Sequence, residues 1–278
     1  MIRFWRRDSS DSPVGHGELE RFAAGRAPCL VAAHGFGGTA TELAPLYDKI
    51  EKEGFAIDAA LLPGHGTTVE RLQSGTFEGW VNALRTRAQM AADNNGLVVL
   101  LGFSMGSLVA MQIASERPAW LAGLVVLSNA LTLRVSSAVP LGLWARTGLP
   151  MPDWYVRKPR AADLEDATLL RTLVSYDRHP LKAALEVFRA GSRVSAVVGQ
   201  IGCPALVLHG RRDRVCPCRN ATWLAEHLGS RDVTVRIFEK SAHTIACDAE
   251  RDEVACEVVR FMSRFDGRTT KSSSVDAR

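Results

Sequence analysis

The sequence has 278 residues, of which 46% are hydrophobic and 23% charged, and its formal net charge is +4. This composition is typical of a globular protein with a sizeable core, and the absence of a long basic stretch disfavours nucleic-acid binding. No apolar run approaches the roughly 20 residues of a membrane-spanning helix, so stable membrane insertion is not expected.

The N-terminal residues and the cysteines predict the cellular compartment of the protein. Residues Met1 to Asp8 lack the apolar core of a secretory signal peptide. The six cysteines are therefore expected to be mostly reduced and the protein cytoplasmic. Cys216 and Cys218 have the wrong spacing for a C-x-x-C motif, and no second pair of ligands accompanies them. We expect neither a metal nor a cofactor.

Six apolar runs predict strands, and most are continuous, which is typical of a parallel sheet covered on both faces. Helix-compatible stretches alternate with them, which predicts an α/β protein with a doubly wound, mostly parallel sheet. The predicted strands are Cys29–His34, Phe55–Leu62, Leu97–Phe103, Leu121–Ser128, Ala205–His209 and Val233–Glu239. The predicted helices are Glu42–Glu53, Phe77–Asp93, Gly106–Ser115, Asn220–Leu228 and Glu250–Phe265.

One long segment, residues 132–201, interrupts this alternation with several prolines, scattered aromatic residues and no clear strand. A long insertion after a strand end predicts a lid or cap over a functional site, and the alternative is a helical layer packed on the body. Within it we predict helices over Asp163–Tyr176 and Leu181–Val194. Residues 1–131 and 202–265 are then the core, and the polar residues 266–278 are predicted to be a disordered tail.

A serine between two glycines stands at the end of the third predicted strand. Gly102 and Gly106 flank Ser104, and a helix-compatible apolar stretch follows. A strand, G-x-S-x-G and a helix in this order are typical of a nucleophile elbow, a strained turn that exposes the serine hydroxyl. Since the pattern also arises by chance in plain strand–helix turns, the interpretation depends on partner residues.

A serine nucleophile needs a base and an acid that orients the base, and on this type of sheet they follow the serine as acid, then histidine. Asp213 lies in the loop after the fifth predicted strand, and His243 follows the last one. His243 is the only histidine after Asp213 in such a position. Asp213 could instead be a turn or helix-capping residue, with Glu239 and Asp232 as competing acids.

The glycine-rich loop from His34 to Gly38 follows the first predicted strand. Such a loop can bring a backbone N–H close to a substrate, so we predict an oxyanion hole formed by the N–H groups of Phe36 and Met105. The alternative is a plain glycine-rich turn. A phosphate-binding loop is disfavoured because neither G-x-x-x-x-G-K-[ST] nor G-x-G-x-x-G occurs.

Taken together, these motifs resemble the α/β-hydrolase superfamily, and within it the bacterial carboxylesterases and monoacylglycerol lipases. The resemblance extends in order from about Pro28 to Phe265, and it implies that Ser104, Asp213 and His243 form a catalytic triad. Ser107 and Ala242 depart from the group, which usually has glycine at both positions. Further matching pieces are Leu62-Pro63-Gly64-His65-Gly66, Thr76-Phe77-Glu78-Gly79-Trp80-Val81 and Ser241-Ala242-His243-Thr244-Ile245-Ala246-Cys247-Asp248.

The function that this resemblance implies is a serine ester hydrolase, which forms an acyl-enzyme on short- to medium-chain acyl esters, with monoacylglycerols among the candidates. The apolar lid residues Leu141, Trp144 and Trp154 are expected to line the acyl pocket. The same triad also serves thioesterases, peptidases and carbon–carbon bond hydrolases. A non-catalytic ligand-binding protein on this fold is the alternative from another class. The expected partner is a small-molecule ester, and the sequence does not indicate an oligomeric state.

Overall fold

The computed structural model describes residues 18–158 and 162–266. The N-terminal residues Met1 to Asp8 and nearly all of the tail predicted at 266–278 lie outside them. The central feature is a seven-stranded sheet with strand order β1-β3-β2-β4-β5-β8-β9, in which only β1 runs antiparallel to its neighbour. Its strands are β1 (Arg21–Ala23), β2 (Arg26–Ala33), β3 (Phe55–Ala59), β4 (Val98–Phe103), β5 (Leu121–Leu127), β8 (Ala205–Gly210) and β9 (Val233–Phe238).

All six strands predicted from the sequence are present, and a parallel α/β sheet is confirmed. Strand β3 ends at Ala59, three residues earlier than predicted, because the following N–H groups bond to side chains instead of a neighbouring strand. The N–H of Leu61 donates to Glu20, and that of Leu62 donates to Nε2 of His34 at 3.1 Å. The edge strand β1 has three residues and was not predicted.

The helices lie on both faces of the sheet, as expected of a doubly wound fold. Alternate residues of β4 enter two separate cores: Val98 and Leu100 pack in one, and Val99 and Leu101 pack in the other. Burial on both faces explains why the central strands are continuous apolar runs. The helices outside the insertion are α1 (Ala44–Lys52), α2 (Val69–Gln73), α3 (Phe77–Asn95), α4 (Met105–Ser115), α7 (Arg219–His227) and α8 (Arg251–Ser263).

Between β5 and β8 the chain leaves the sheet. This segment contains α5 (Val135–Thr147), the short antiparallel strands β6 (Tyr155–Arg157) and β7 (Arg178–Pro180), and α6 (Leu181–Ser195). The prediction of α6 is confirmed. The expectation of no strand is wrong, since β6 and β7 pair over three residues each. No helix within the described residues is both long and apolar enough to cross a membrane.

The helix predicted at Asp163–Tyr176 is wrong, because most of this stretch is irregular and it holds only a 3₁₀ turn at Ala167–Leu169. Its N-terminal amides are engaged elsewhere: the N–H groups of Glu165 and Asp166 donate to the carboxylate of Asp248. Tertiary hydrogen bonds therefore override an apolar content compatible with a helix.

Candidate active site

Ser104 occupies a sharp turn between β4 and α4. Its backbone has φ +54° and ψ −118°, a conformation that is costly for a residue with a side chain. The N–H of Ser104 donates to the carbonyl of Leu127 at 3.0 Å, which fixes the turn to the neighbouring strand β5. A Cβ at Gly102 would lie 2.3 Å from the carbonyl oxygen of Gly106, and one at Gly106 would lie 2.3 Å from that of Ala33. The close backbone contacts therefore require both flanking glycines.

Ser107 stands where the resembling group usually has glycine. Its hydroxyl donates to the carbonyl of Ser104 at 2.5 Å and accepts from the N–H of Ala130 at 3.3 Å. The hydroxyl therefore joins the turn to the loop after β5 and has both its hydrogen-bonding roles satisfied by backbone.

The structure brings Ser104, Asp213 and His243 into one hydrogen-bonded chain. Nε2 of His243 lies 2.9 Å from Oγ of Ser104, and Nδ1 lies 2.7 Å from Oδ2 of Asp213. The three residues are 8%, 0% and 7% exposed in sequence order. A proton on Nδ1 directed at the carboxylate leaves the lone pair of Nε2 facing the serine hydroxyl, so the arrangement can accept a proton from that hydroxyl.

The two competing acids lie elsewhere. Glu239 is exposed and paired with Arg211, and Asp232 is exposed and paired with Arg264. Asp213 lies in the loop after β8, where its Oδ1 accepts the N–H groups of Val215 and Cys216, both at 2.7 Å. These two bonds also match the turn-capping role considered from the sequence, so the one carboxylate both shapes its loop and contacts the histidine.

The electrostatics favour an ionised acid beside a basic imidazole. Burial alone would raise the pKa of Asp213, but the charge of His243 and hydrogen bonds from His209 and His243 hold it well below its usual range. Burial of the His243 ring opposes its protonation, yet the attraction of Asp213, with smaller contributions from Asp163 and Glu42, raises its pKa above the ordinary value. An imidazolium formed here is therefore stabilised.

Two aspartates that sequence reasoning missed hold the loops of the site. The carboxylate of Asp248 accepts from the N–H of Ala242 at 2.7 Å, and also from two amides of the insertion. Asp163, within the insertion, accepts from the N–H of His243 at 3.3 Å and that of Arg214 at 2.8 Å. Asp248 stands in a motif of the resemblance but was given no role there, and nothing marked Asp163, because its backbone partners lie 51 and 80 residues away in the chain.

The glycine-rich loop lies beside Ser104 and is held from both sides. The N–H of Gly35 donates to Glu42 at 2.9 Å, and the carbonyl of Gly37 accepts from the N–H of Tyr176 at 3.0 Å. The ring of Phe36 stacks on His179 with centroids 4.9 Å apart. Within residues 18–158 and 162–266, no acceptor takes the N–H of Phe36 or of Met105, so both remain able to bind an anionic oxygen.

The three predicted pocket residues lie together in the insertion. Leu141 is buried in a cluster with Met151 and Leu185, and the rings of Trp144 and Trp154 meet edge to face at 5.6 Å. Trp154 also lines an open cavity of about 620 Å³ beside α2. Neither this apolar cluster nor this pair of rings includes Ser104, Asp213 or His243.

Comparisons with known proteins identify a matching family and several relatives of this chain. The family model described as serine aminopeptidase, S33, matches residues 26–250. The chain is 25% identical to the thermostable monoacylglycerol lipase of Bacillus sp. (strain H-257), over 93% of this chain and 100% of that protein. It is 30% identical to the monoglyceride lipase of Homo sapiens, over 78% of this chain and 75% of that protein. A structure from the study of the metagenome-derived lipolytic enzymes LipS and LipT superposes with a TM-score of 0.81 at 20% identity, covering 90% of this chain and 99% of that chain.

Proposed function

Because the chain belongs to the serine hydrolase family described as serine aminopeptidase, S33, we propose that it hydrolyses carboxylic esters through an acyl-enzyme on Ser104. The observation that carries the proposal is the hydrogen-bonded chain from Ser104 through His243 to Asp213. The relatives named as monoacylglycerol lipases support an ester rather than an amide as the substrate.

In the first half-reaction, His243 takes the proton of Ser104 as Oγ attacks the ester carbonyl. Asp213 holds the imidazole in the required tautomer and stabilises the imidazolium. The N–H groups of Phe36 and Met105 bind the oxygen that becomes negative, and the N-terminus of α4 adds the positive end of its dipole. His243 then gives its proton to the departing alcohol, which leaves the acyl group on the serine.

In the second half-reaction, His243 removes a proton from water, which attacks the acyl-enzyme carbonyl. The same two N–H groups bind the new oxyanion, and the acid leaves as Ser104 regains its proton. Each half-reaction returns His243 to its neutral form and the second restores the Ser104 hydroxyl, so the residues present supply the base, the acid and the oxyanion donors.

The finer proposal is a substrate with a short- to medium-chain acyl group, with monoacylglycerols as the class to test first. Two relatives, one named as a monoacylglycerol lipase and one as a monoglyceride lipase, support the monoacylglycerol class, and the first is covered over its whole length. We also propose that residues 132–201 form a cap whose apolar residues, Leu141, Trp144 and Trp154, contribute to acyl binding. Leu141 packs with Met151 and Leu185 in an apolar cluster of the insertion, and Trp144 packs against this cluster.

The test is hydrolysis of p-nitrophenyl esters with acyl chains of increasing length and of 1-monoacylglycerols, by wild-type protein and by Ser104→Ala. We expect turnover that peaks at one chain length and falls to the uncatalysed background in the variant. Turnover that persists in a folded Ser104→Ala protein would refute the nucleophile assignment.

The same experiment, with further substrates and a covalent probe, distinguishes the alternative functions. An acyl thioester and an aminoacyl p-nitroanilide, tested beside the oxygen esters, distinguish a thioesterase and an aminopeptidase. A fluorophosphonate probe reports an activated serine, since it labels only a serine whose hydroxyl can be deprotonated by its neighbours. Labelling of the wild type without turnover of any ester would point to another acyl transfer, and no labelling would favour a ligand-binding protein.

A further inference from the structure

A second imidazole contacts the proposed triad acid. His209 is the fifth residue of β8, and both it and Asp213 are completely buried. Nε2 of His209 lies 2.9 Å from Oδ2 of Asp213, the same oxygen that faces Nδ1 of His243 at 2.7 Å. One carboxylate oxygen therefore lies between two histidine rings in the interior of the protein.

The chemistry of this contact determines which nitrogen carries a proton. A bare lone pair on Nε2 would repel the carboxylate at 2.9 Å, whereas an N–H attracts it. The contact is short but not well aligned, and in the described residues neither ring nitrogen of His209 has another polar partner. Asp213 is therefore the one polar group that explains a histidine at this buried position.

The neighbouring structure makes this contact rigid. His209 lies in a strand that pairs with β9 on one side, and its register partner is Ile237. The other carboxylate oxygen of Asp213 accepts two backbone N–H groups, from Val215 and Cys216. Four groups therefore face the two oxygens of Asp213, and the contact with His209 restricts rotation of the carboxylate.

We propose that His209 is a positioning residue for catalysis, whose Nε2–H orients Asp213 and moderates the pull of its carboxylate on His243. The inference rests on the proposed function, in which Asp213 is the triad acid. Without this N–H, the full charge of Oδ2 would act on His243 and stabilise the imidazolium further. Loss of the contact should therefore move the acid limb of the pH–rate profile to higher pH, and the greater rotational freedom of the Asp213 carboxylate should lower kcat.

The other charged groups near His209 and Asp213 are left unchanged by a substitution of His209. Asp163 acts on His243 from the insertion, and Glu42 acts on it from the 3₁₀ turn that precedes α1. The guanidinium of Arg134 donates to the backbone carbonyl of Asp213, and the Cys216 thiol is buried beside that residue. None of these residues contacts the His209 ring through a hydrogen bond within the described part of the chain.

The first experiment compares His209→Leu with His209→Gln. Leucine removes the donor at similar volume, and glutamine places an amide N–H near the position of Nε2. For a p-nitrophenyl ester, we expect leucine to lower kcat about tenfold to a hundredfold, the usual effect of a lost hydrogen bond to a charged group. KM should change little, the acid limb should move to higher pH, and glutamine should restore most of kcat.

The matched control is His227→Gln, a histidine that stacks on Trp223 in α7. It should leave kcat and the pH profile unchanged. A role confined to packing would lower the melting temperature of His209→Leu without moving the acid limb, and glutamine would not restore the rate. That result, or an unchanged kcat in folded His209→Leu, would overturn the proposal.

A second readout requires no turnover. In protein labelled with ¹⁵N-histidine, long-range ¹H–¹⁵N correlations identify which ring nitrogen of His209 carries a proton, with assignment by the signal lost in His209→Gln. We expect a proton on Nε2, and a ring protonated only on Nδ1 would overturn the inference. If the wild-type protein hydrolysed no ester, the proposed function would fail, while this measurement would still decide the His209–Asp213 contact.

Discussion

An Asp213→Asn variant removes the negative charge from the hydrogen-bonded chain of Ser104, His243 and Asp213, and it keeps the size of the side chain. The two oxygens of the native carboxylate face only N–H groups: two backbone amides at Oδ1 and the rings of His243 and His209 at Oδ2. An asparagine must direct its NH₂ at one of these two pairs. With the NH₂ towards His243, the ring is forced into the tautomer that carries its proton on Nε2, and the lone pair facing Ser104 is lost.

The magnitude follows from this change of tautomer. The same exchange in a Ser-His-Asp protease lowers kcat by about 10⁴, equivalent to about 5.4 kcal/mol of transition-state stabilisation. Turning the amide the other way leaves backbone donors of the Asp213 loop unpaired, at a cost of about 1–3 kcal/mol of folding free energy. This cost favours the orientation with the NH₂ towards His243, so we expect a fall of about 10⁴ in kcat.

The assay is initial-rate hydrolysis of a p-nitrophenyl ester near pH 8, beside Ser104→Ala as the background and with urea unfolding of each protein. Glu239→Gln is the matched control, because that carboxylate is exposed and contacts Arg211 rather than the histidine; it should leave kcat unchanged. A folded Asp213→Asn protein that loses less than tenfold in kcat would refute the assignment of the acid.

Two further predictions concern the base and the insertion. Because His243 must be neutral to act and its pKa is raised, kcat/KM should fall as the pH drops through an apparent pKa above the ordinary value of 6.5; a midpoint at or below that value in the wild type would contradict the reasoning. Tyr176→Phe removes a hydroxyl that accepts from the N–H of Thr67 and donates to Gly64, and should lower the free energy of unfolding by about 1–3 kcal/mol in urea titrations. Tyr47→Phe is its control, since that buried hydroxyl has no partner in the described residues and its loss should be neutral; equal effects of the two changes would contradict the second prediction.

The sheet could be predicted because its central strands are buried on both faces. The run Leu97–Phe103 is apolar throughout, and the structure places alternate residues of it in two different cores. The edge strand β1 and the pair β6 and β7 have only three residues each, too few for a period to be recognised. Helix α5 was missed because it is apolar around most of its circumference and contains Pro140, so no helical stripe was visible.

The grouping of Ser104, Asp213 and His243 could be predicted from the topology of the sheet. In a parallel sheet the C-terminal ends of the strands lie at one edge, so residues that follow β4, β8 and β9 approach one another. His209 and Asp248 carried no such signal. Their importance depends on which oxygen or N–H each one reaches, and that is decided by loop paths that the sequence does not specify.

The geometry of the insertion bears on how a substrate could enter. The stretch after residue 162 bonds to the loops of the acid and the base through Asp163 and Asp248. Further along, Tyr176 bonds to Gly37, and His179 stacks on Phe36. An outward movement of this whole half of the insertion would therefore break the contacts that hold the loop of His243 and the glycine-rich loop from His34 to Gly38. The other half is held to the site as well, because Arg134, at the N-cap of α5, donates to the backbone carbonyl of Asp213 and to that of Val215.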